Sequence, residues 1–209
     1  MRAVVISDTH NQHRKLLLPQ GDMIIHCGDV SGRGTSTEVY DFIKWFSILP
    51  YRYKIFIAGN HDFYFEQKGI NEIEDELREN RIVYLNDSGI EIEGIKFWGS
   101  PIQPWFYDWA FNRQRGADIK RHWDKIPNDT NILITHGPPK GIRDMTVRGD
   151  RCGCEDLFQA VERVKPKYHL FGHIHEEYGQ AYDHTTTFIN ASVLDENYCL
   201  VNEPIVIKI

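Results

Sequence analysis

Short apolar runs alternate with longer amphipathic stretches along this chain. Five of the runs cover residues 3–7, 23–27, 54–58, 131–135 and 168–171. Each is four or five residues long and rich in Ile, Val, Leu or Phe, as expected for strands buried on both faces. Strands that alternate with helical segments predict an α/β protein.

Three amphipathic stretches predict helices. Residues 35–37, Thr-Ser-Thr, can cap a helix that runs through Glu38 to Phe46 and ends before Pro50. A second predicted helix covers residues 71–79, with Asn71 as its cap. A third covers residues 155–164 and stops before Pro166.

Residues 81–99 have a different pattern. Ile90 to Glu93 alternate apolar and charged positions, and Gly94 then turns the chain into a second apolar segment at residues 95–98. This predicts a half-buried antiparallel hairpin. Residues 186–190 and 205–208 repeat the theme near the C-terminus. We therefore expect a mixed fold with two sheets rather than one doubly wound sheet.

Composition and charge restrict the classes of protein to which this chain can belong. The 209 residues are 41% hydrophobic and 26% charged, which predicts one globular domain over residues 1–209. The net charge of -6 disfavours binding to extended nucleic acid. No apolar stretch approaches the ~20 residues of a membrane helix, and no targeting segment is recognisable. The four cysteines lack metal-type spacing, so we expect reduced thiols in a cytoplasmic protein.

Residues that can bind metal ions follow each of the five apolar runs. Any one of them has a common alternative as a turn residue or a helix cap. Their joint occurrence favours a shared centre, because the carboxyl ends of neighbouring strands meet at one edge of a sheet. Mixed oxygen and imidazole ligands suit two divalent cations such as Mn, Fe, Zn or Ni. The predicted ligands are Asp8, His10, Asp29, Asn60, His136, His173 and His175.

The motifs around these residues resemble the calcineurin-like metallophosphoesterase superfamily. In chain order they are Asp-x-His at Asp8, Gly-Asp at Asp29, Gly-Asn-His-Asp at residues 59–62, a single His136 after a strand, and Gly-His-x-His at residues 172–175. Segments 104–106, 109–112, 135–139 and 190–192 resemble the metallophosphoesterase-domain-containing branch, which includes class III cyclic-nucleotide phosphodiesterases. Some animal members of that branch carry Gly in place of the first His of Gly-His-x-His and lose most activity. This chain keeps His173.

The resemblance implies a fold and a ligand assignment. The fold is a four-layer α/β/β/α sandwich with two mixed β-sheets. Asp8, His10, Asp29 and His175 would hold one metal ion. Asp29, Asn60, His136 and His173 would hold the other, so that Asp29 bridges the two ions. Manganese is the metal we expect first.

The implied activity is hydrolysis of phosphodiesters, such as cyclic nucleotides or related nucleotides, by a hydroxide that bridges two metal ions about 3.5–4 Å apart. We assign His61 as the proton donor to the leaving alkoxide or as the stabiliser of its charge, with Asp62 orienting its ring. Asn60, His61 and Arg143 are the predicted substrate contacts. A phosphomonoesterase, acting for example on phosphoprotein, and a non-catalytic nucleotide-binding module are the alternatives.

Two groups of side chains remain open at the sequence level. Trp105, Phe106, Trp109 and Phe111 could stack on a nucleobase or could cover the edge of the sheet. Arg113 and Arg115, like Arg143, could contact phosphate or could be solvated. We also expect His26 and His169 to be packed with hydrogen-bonded rings, and His13, His122 and His184 to be solvated.

Overall fold

The computed structural model describes residues 1–209. It contains five α-helices, namely α1 (Ser36–Ser47), α2 (Phe63–Lys68), α3 (Glu74–Glu79), α4 (Ala117–Trp123) and α5 (Glu155–Val164). The first seven strands are β1 (Arg2–Ile6), β2 (Met23–His26), β3 (Tyr53–Phe56), β4 (Ile82–Tyr84), β5 (Ser88–Ile92), β6 (Ile95–Ser100) and β7 (Gln103–Pro104). The remaining six are β8 (Asn112–Arg113), β9 (Ile132–Thr135), β10 (Tyr168–Phe171), β11 (Gly179–Tyr182), β12 (Thr187–Asn190) and β13 (Ile205–Lys208).

Two mixed sheets dominate the fold. The first has the strand order β13-β1-β2-β3-β4, in which β1 to β4 are parallel and β13 is antiparallel to β1. The second has the order β11-β12-β10-β9-β6-β5, with four parallel central strands and antiparallel strands at both edges. Strands β7 and β8 form a small separate pair.

Alternate residues of the central strands face two different cores. Val5 and Ile25 of the first sheet share a buried cluster with Ile134 and Leu170 of the second, so the two sheets pack against each other. The neighbouring positions in the same strands point outwards. They share a second cluster with helix residues, Phe42 and Phe46 of α1 and Trp123 and Leu157 of α4 and α5 among them. Helices therefore cover the outer faces, and the predicted four-layer sandwich is confirmed.

The predicted helices and hairpin have mixed outcomes. Helix α1 begins after Thr35, whose side chain and that of Glu38 form a reciprocal capping box. Helix α5 has the predicted bounds. The predicted hairpin is β5–β6, with Glu93 and Gly94 in the left-handed turn between them.

Other predicted elements are wrong in detail. Asn71 does not cap a helix, because α3 begins only after Ile73 and the missed helix α2 lies before it. Strand β4 belongs to the first sheet and not to the hairpin, since it pairs in parallel with β3. Strands β12 and β13 lie in different sheets. None of the five helices combines the length and the hydropathy that crossing a membrane requires.

Candidate metal centre

The two sheets bring their predicted ligands to a common edge. Asp8 and Asp29 follow β1 and β2 of the first sheet, whereas His136 and His173 follow β9 and β10 of the second. The loops pack so closely that a Cβ atom on Gly172 would lie 2.0 Å from Oδ2 of Asp8. Glycine at this position therefore lets the second sheet's ligand loop approach the first sheet's carboxylate.

The ligand loops hold an unusual backbone conformation. Asp8, Asp29 and His173 have φ values of 56°, 55° and 70°, in the left-handed region that side chains other than glycine rarely adopt. Strain of this kind persists only where the surrounding contacts fix it, and it concentrates at functional sites. All three residues lie in the candidate site, where the His173 amide donates a hydrogen bond to Oδ2 of Asp8.

The ligating atoms form three overlapping groups in which all atoms lie within 4.8 Å of one another. Nε2 of His10 and Nε2 of His136 lie 3.6 and 3.4 Å from the same oxygen, Oδ2 of Asp29. Nε2 of His175 lies 3.7 Å from Oδ1 of Asp8. These gaps are too long for hydrogen bonds but suit pairs of ligands that share an ion with bonds of about 2.0–2.2 Å. The groups are Asp8, His10 and His175; His10, Asp29 and His61; and Asp29, His136 and His173.

Three imidazole rings are oriented by their other nitrogen. In each, Nδ1–H donates to a backbone carbonyl, so the neutral ring has its lone pair on Nε2, the nitrogen that faces the cluster. The carbonyl partners are Ser31 for His10 at 3.2 Å, Cys27 for His136 at 3.0 Å and Asp195 for His175 at 2.9 Å. This tautomer is the one that metal binding needs.

The carboxylates are fixed in the same manner. Oδ2 of Asp8 accepts hydrogen bonds from Ser192 Oγ at 2.6 Å and from the His173 amide at 3.0 Å, and Oδ1 of Asp29 accepts from the His61 amide at 2.8 Å. The opposite oxygen of Asp8 and Nε2 of His10 are buried without any hydrogen-bond partner. Buried polar atoms seldom lack a partner. The orphaned atoms and the mixed donor set therefore fit divalent cations.

The charges of the clustered side chains also suit the binding of divalent cations. Burial favours the neutral forms, but the nearby Asp29 carboxylate raises the pKa of His136 to about 9, and the nearby Asp8 carboxylate raises the pKa of His175 to about 9. Despite burial, the same histidines hold the pKa of the Asp8 and Asp29 carboxyls below the usual range. In the metal-free protein, protons thus balance the carboxylates that bound cations would neutralise.

His61 lines the cleft at the open side of the cluster. Its Nδ1 bonds to the Gly32 carbonyl at 2.8 Å, and its ring stacks on Trp109 with 4.2 Å between centroids. An edge contact of 4.6 Å to the ring of His10 fixes the other side. One ring nitrogen of His61 lies within 4.8 Å of the ligating atoms of His10 and Asp29.

Asp62 does not orient the His61 ring, so that predicted contact is wrong. Its buried carboxylate accepts hydrogen bonds from the amides of Val30, Ser31 and Gly59, at 3.1, 2.9 and 2.8 Å. Burial and the nearby charge of Asp29 raise its pKa to about 6. Asp62 thus ties together the loops that carry Asp29 and Asn60.

Arg143 does not lie where its predicted substrate contact needs it. Its guanidinium donates to the Gln180 carbonyl of β11 at 2.5 Å and faces Glu177. It lines neither of the cavities next to the cluster. Arg115 and Arg151 do line the adjoining cavity.

The aromatic stretch divides into three environments. Phe111 is buried, Trp109 stacks on His61, and Trp105 and Phe106 remain about half exposed. Burial of Phe111 fits the interpretation that these side chains cover the sheet edge, and stacking on a nucleobase stays a prediction. Phe106 and Trp109 line a cleft of about 250 Å³ over the cluster, together with His61 and Tyr198.

Sequence reasoning missed Tyr198. Its ring lies 5.0 Å from that of His10 and 5.2 Å from that of His175, on a backbone with φ of 59°. No motif marks this position. The only available signal is topological, since the segment after β12 must pass the ligand-bearing edge on its way to β13.

The other histidines, with the exception of His184, each have a hydrogen-bond partner on their ring. His26 and His169 are buried and bond to Thr9 and Thr135 at 2.9 and 2.8 Å, which confirms the prediction of packed rings. The prediction that His13 and His122 are solvated is wrong. Both are buried, and they bond to Asp41 at 3.1 Å and to Asp87 at 2.6 Å.

Similarity to known proteins agrees with this centre. The sequence profile described as Calcineurin-like phosphoesterase matches residues 1–177. Metallophosphoesterase domain-containing protein 1 of Homo sapiens is 43% identical over 230 residues, covering 100% of this chain and 71% of its own length. A probable glycerophosphodiester phosphodiesterase, GpdQ of Arcobacter nitrofigilis, is 29% identical over 168 residues, covering 78% of this chain and 60% of its own.

A solved structure shares the fold. The crystal structure of TT1561 of Thermus thermophilus has a TM-score of 0.63 at 14% identity, and covers 90% of this chain and 88% of its own. The matched profile spans most of the chain and includes every residue of the ligand cluster. The chain therefore belongs to the calcineurin-like phosphoesterase family of metal-dependent phosphoester hydrolases.

Proposed function

We propose that this chain is a phosphodiesterase that acts on cyclic nucleotides or related nucleotide diesters. One observation carries the proposal. The cleft over the cluster is lined by histidines, aromatic rings, Asn60 and the carboxylates of Asp29, Glu176 and Glu196, and by no Lys or Arg. A phosphomonoester is close to a dianion at neutral pH and would meet those carboxylates without a cationic side chain. A diester carries a single negative charge and a second substituent that aromatic walls can accommodate.

The seven predicted ligands would hold two divalent cations, Mn²⁺ being the first candidate. The chemistry that such a pair supplies is activation of a water molecule and neutralisation of charge on the phosphoryl group. Asn60 has a second task. Its Oδ1 lies 2.8 Å from Nε2 of His136, so its amide nitrogen is free to donate to a phosphoryl oxygen.

His61 is the proton donor in this proposal. Its Nδ1–H is held by the Gly32 carbonyl, so a protonated ring carries its second proton on Nε2, at the open side of the cluster. Donation to the leaving oxygen avoids release of an alkoxide. Stacking on Trp109 keeps the ring in place while it changes charge.

The name of the similar Arcobacter protein, a probable glycerophosphodiester phosphodiesterase, also supports a diester substrate. A monoesterase and a non-catalytic nucleotide-binding module are the competing functions. The latter is disfavoured because His61 and the seven candidate ligands lie together in one cluster.

A substrate panel tests the proposal. Metal-free protein is loaded with Mn²⁺ and offered bis-p-nitrophenyl phosphate, p-nitrophenyl phosphate, and 2′,3′- and 3′,5′-cyclic nucleotides. The expected result is higher kcat/KM for the diesters than for the monoester. Preference for the monoester would favour a phosphatase, and no turnover with any divalent metal would favour a binding module.

A further inference from the structure

The cleft over the metal centre continues into a longer groove. A second cavity of about 330 Å³ shares Phe106, His173 and Glu176 with the first. A third, of about 570 Å³, shares Arg115 and Arg151 with the second. The reacting phosphoryl position is thus connected, through an aromatic section, to a section lined by polar and charged residues.

The middle section offers flat apolar surfaces. Trp105 and Phe106 are 52% and 53% exposed, which is high for large aromatic side chains, and Pro104 and Pro138 line the same cavity. Aromatic faces left in solvent beside a reaction centre are suited to stacking on a planar ring. The base of a nucleotide would fit this section in size and chemistry.

The far section contains one cation without a counter-ion. Arg151 pairs with Asp144 at 2.7 Å, and Lys140 pairs with Glu155 at 2.7 Å. Arg115 instead donates to the carbonyls of Gly153 and Cys152, at 2.9 and 3.0 Å, and no carboxylate pairs with it.

Those two carbonyls hold the guanidinium of Arg115 in place without neutralising it. The group has five N–H donors, and the two carbonyl contacts leave others free. A fixed guanidinium with free donors is suited to binding a phosphate. Nearby Arg113 does not compete, because it pairs with Glu66.

We infer that the groove binds a nucleoside between its two ends, with the base on Trp105 and Phe106 and a second phosphate of the same substrate on Arg115. The substrate class is then a nucleotide phosphodiester that carries a further phosphate away from the bond to be cleaved. This inference rests on the proposed function, because it assumes that a phosphodiester reacts at the cluster. In this inference Trp105, Phe106 and Arg115, which bind no metal ion, determine which diester substrates the protein prefers.

A matched pair of substrates tests the inference. Thymidine 5′-(p-nitrophenyl phosphate) and the same compound with a 3′-phosphate differ only in the second phosphate, and both release p-nitrophenolate. With the Mn²⁺-loaded protein we expect kcat/KM to be about tenfold higher for the 3′-phosphorylated substrate, mainly through KM, a difference of about 1.4 kcal/mol. R115M should remove this preference and leave turnover of the unphosphorylated substrate close to wild type.

Two controls separate binding from folding. R121M removes an arginine that pairs with Asp118 on α4, outside the groove, and should keep the full preference. R115K keeps the charge but loses the fork of donors, so we expect a reduced preference. Should R115M not fold, raising the salt concentration with the wild-type protein replaces it. Screening should then diminish the preference for the 3′-phosphorylated substrate.

The outcomes distinguish the two proposals. If the protein cleaves neither thymidine diester and also fails to cleave bis-p-nitrophenyl phosphate, the proposed function itself is overturned. Cleavage of both thymidine diesters at equal efficiency would overturn only the groove inference. So would a preference that R115M leaves intact, that R121M removes equally, or that added salt does not alter.

Discussion

The metal centre and the groove beside it are built on opposite principles. At the centre the ligands of both sheets are buried or nearly so, and hydrogen bonds to Ser31, Cys27 and Asp195 fix three of the imidazoles. In the groove, Trp105 and Phe106 are half exposed and lie on loops between elements. Burial and fixed orientation serve a constant chemistry. Exposed side chains on loops can differ between relatives without disturbing it.

The largest effect is expected from replacing Asp29, whose Oδ2 lies near both His10 and His136. Asp29→Asn replaces a carboxylate that lies near His10, His61, His136 and His173 in two ligand groups. We expect kcat/KM to fall by about 10⁴-fold or more, because each bound cation contributes several kcal/mol to the transition state. Elemental analysis should show loss of metal as well. A variant that retains both ions and near-normal activity would contradict the role of Asp29.

His61→Ala separates catalysis from metal binding within the centre. Since the ring is predicted to donate a proton and not to bind an ion, turnover should fall by roughly 10² to 10⁴-fold. Metal content should stay near that of the wild type. Loss of metal in this variant would make His61 a ligand. Trp109→Leu, which removes only the stacking partner, should have a smaller effect on turnover.

Metal affinity should depend on pH, because histidines of the metal-free centre must lose protons before an ion binds. Binding an ion requires neutral His136 and His175, whose pKa values of about 9 mean that both hold an extra proton at pH 7. Metal affinity should therefore rise with pH, by up to about tenfold per unit for each displaced proton, and level off above pH 9. Titration calorimetry in buffers of different ionisation enthalpy measures that release. Equal affinity at pH 7 and 9 would contradict it.

The raised pKa values of His136 and His175 also make the stability of the metal-free protein depend on pH. A histidine whose pKa is raised by folding stabilises the native state below its unfolded pKa of about 6.5. That contribution is lost as the pH rises from about 6.5 to about 9. The midpoint of thermal unfolding without metal should fall across this window, and saturating Mn²⁺ should counteract the fall.

The smallest expected effect concerns the support of one ligand loop. The hydroxyl of Thr135 donates to the Gly137 carbonyl at 2.8 Å and accepts from Nε2 of His169 at 2.8 Å, on either side of the ligand His136. Thr135→Val should weaken metal binding by about 10- to 100-fold. Thr130→Val, which also removes a buried hydroxyl bonded to a carbonyl, should alter stability but not metal affinity. Equal metal affinity in both variants would reject this positioning role.

The contrast between the two regions also explains what sequence could predict. The convergence of candidate ligands such as Asp8 and His136 was predictable because they follow buried parallel strands, and strand ends are positioned by the sheet itself. The contacts of Asp62 and Arg143 depend on the path of the loops. A left-handed residue at position 143 and a carboxylate that binds three amides cannot be recognised from spacing.

Tyr198 illustrates the remaining gap. It approaches His10 from almost the other end of the chain. Such a contact is fixed by the packing of β13 beside β1, which brings the two ends of the chain together. Local periodicity records only which face of an element is buried. It carries no information on which distant loop will cover a site.

Anomalous X-ray diffraction from crystals grown with Mn²⁺ tests the central claim most directly. The account predicts two peaks about 3.5–4 Å apart, with Asp29 between them, one beside Asp8, His10 and His175 and the other beside Asn60, His136 and His173. A single peak, or peaks remote from Asp29, would contradict it.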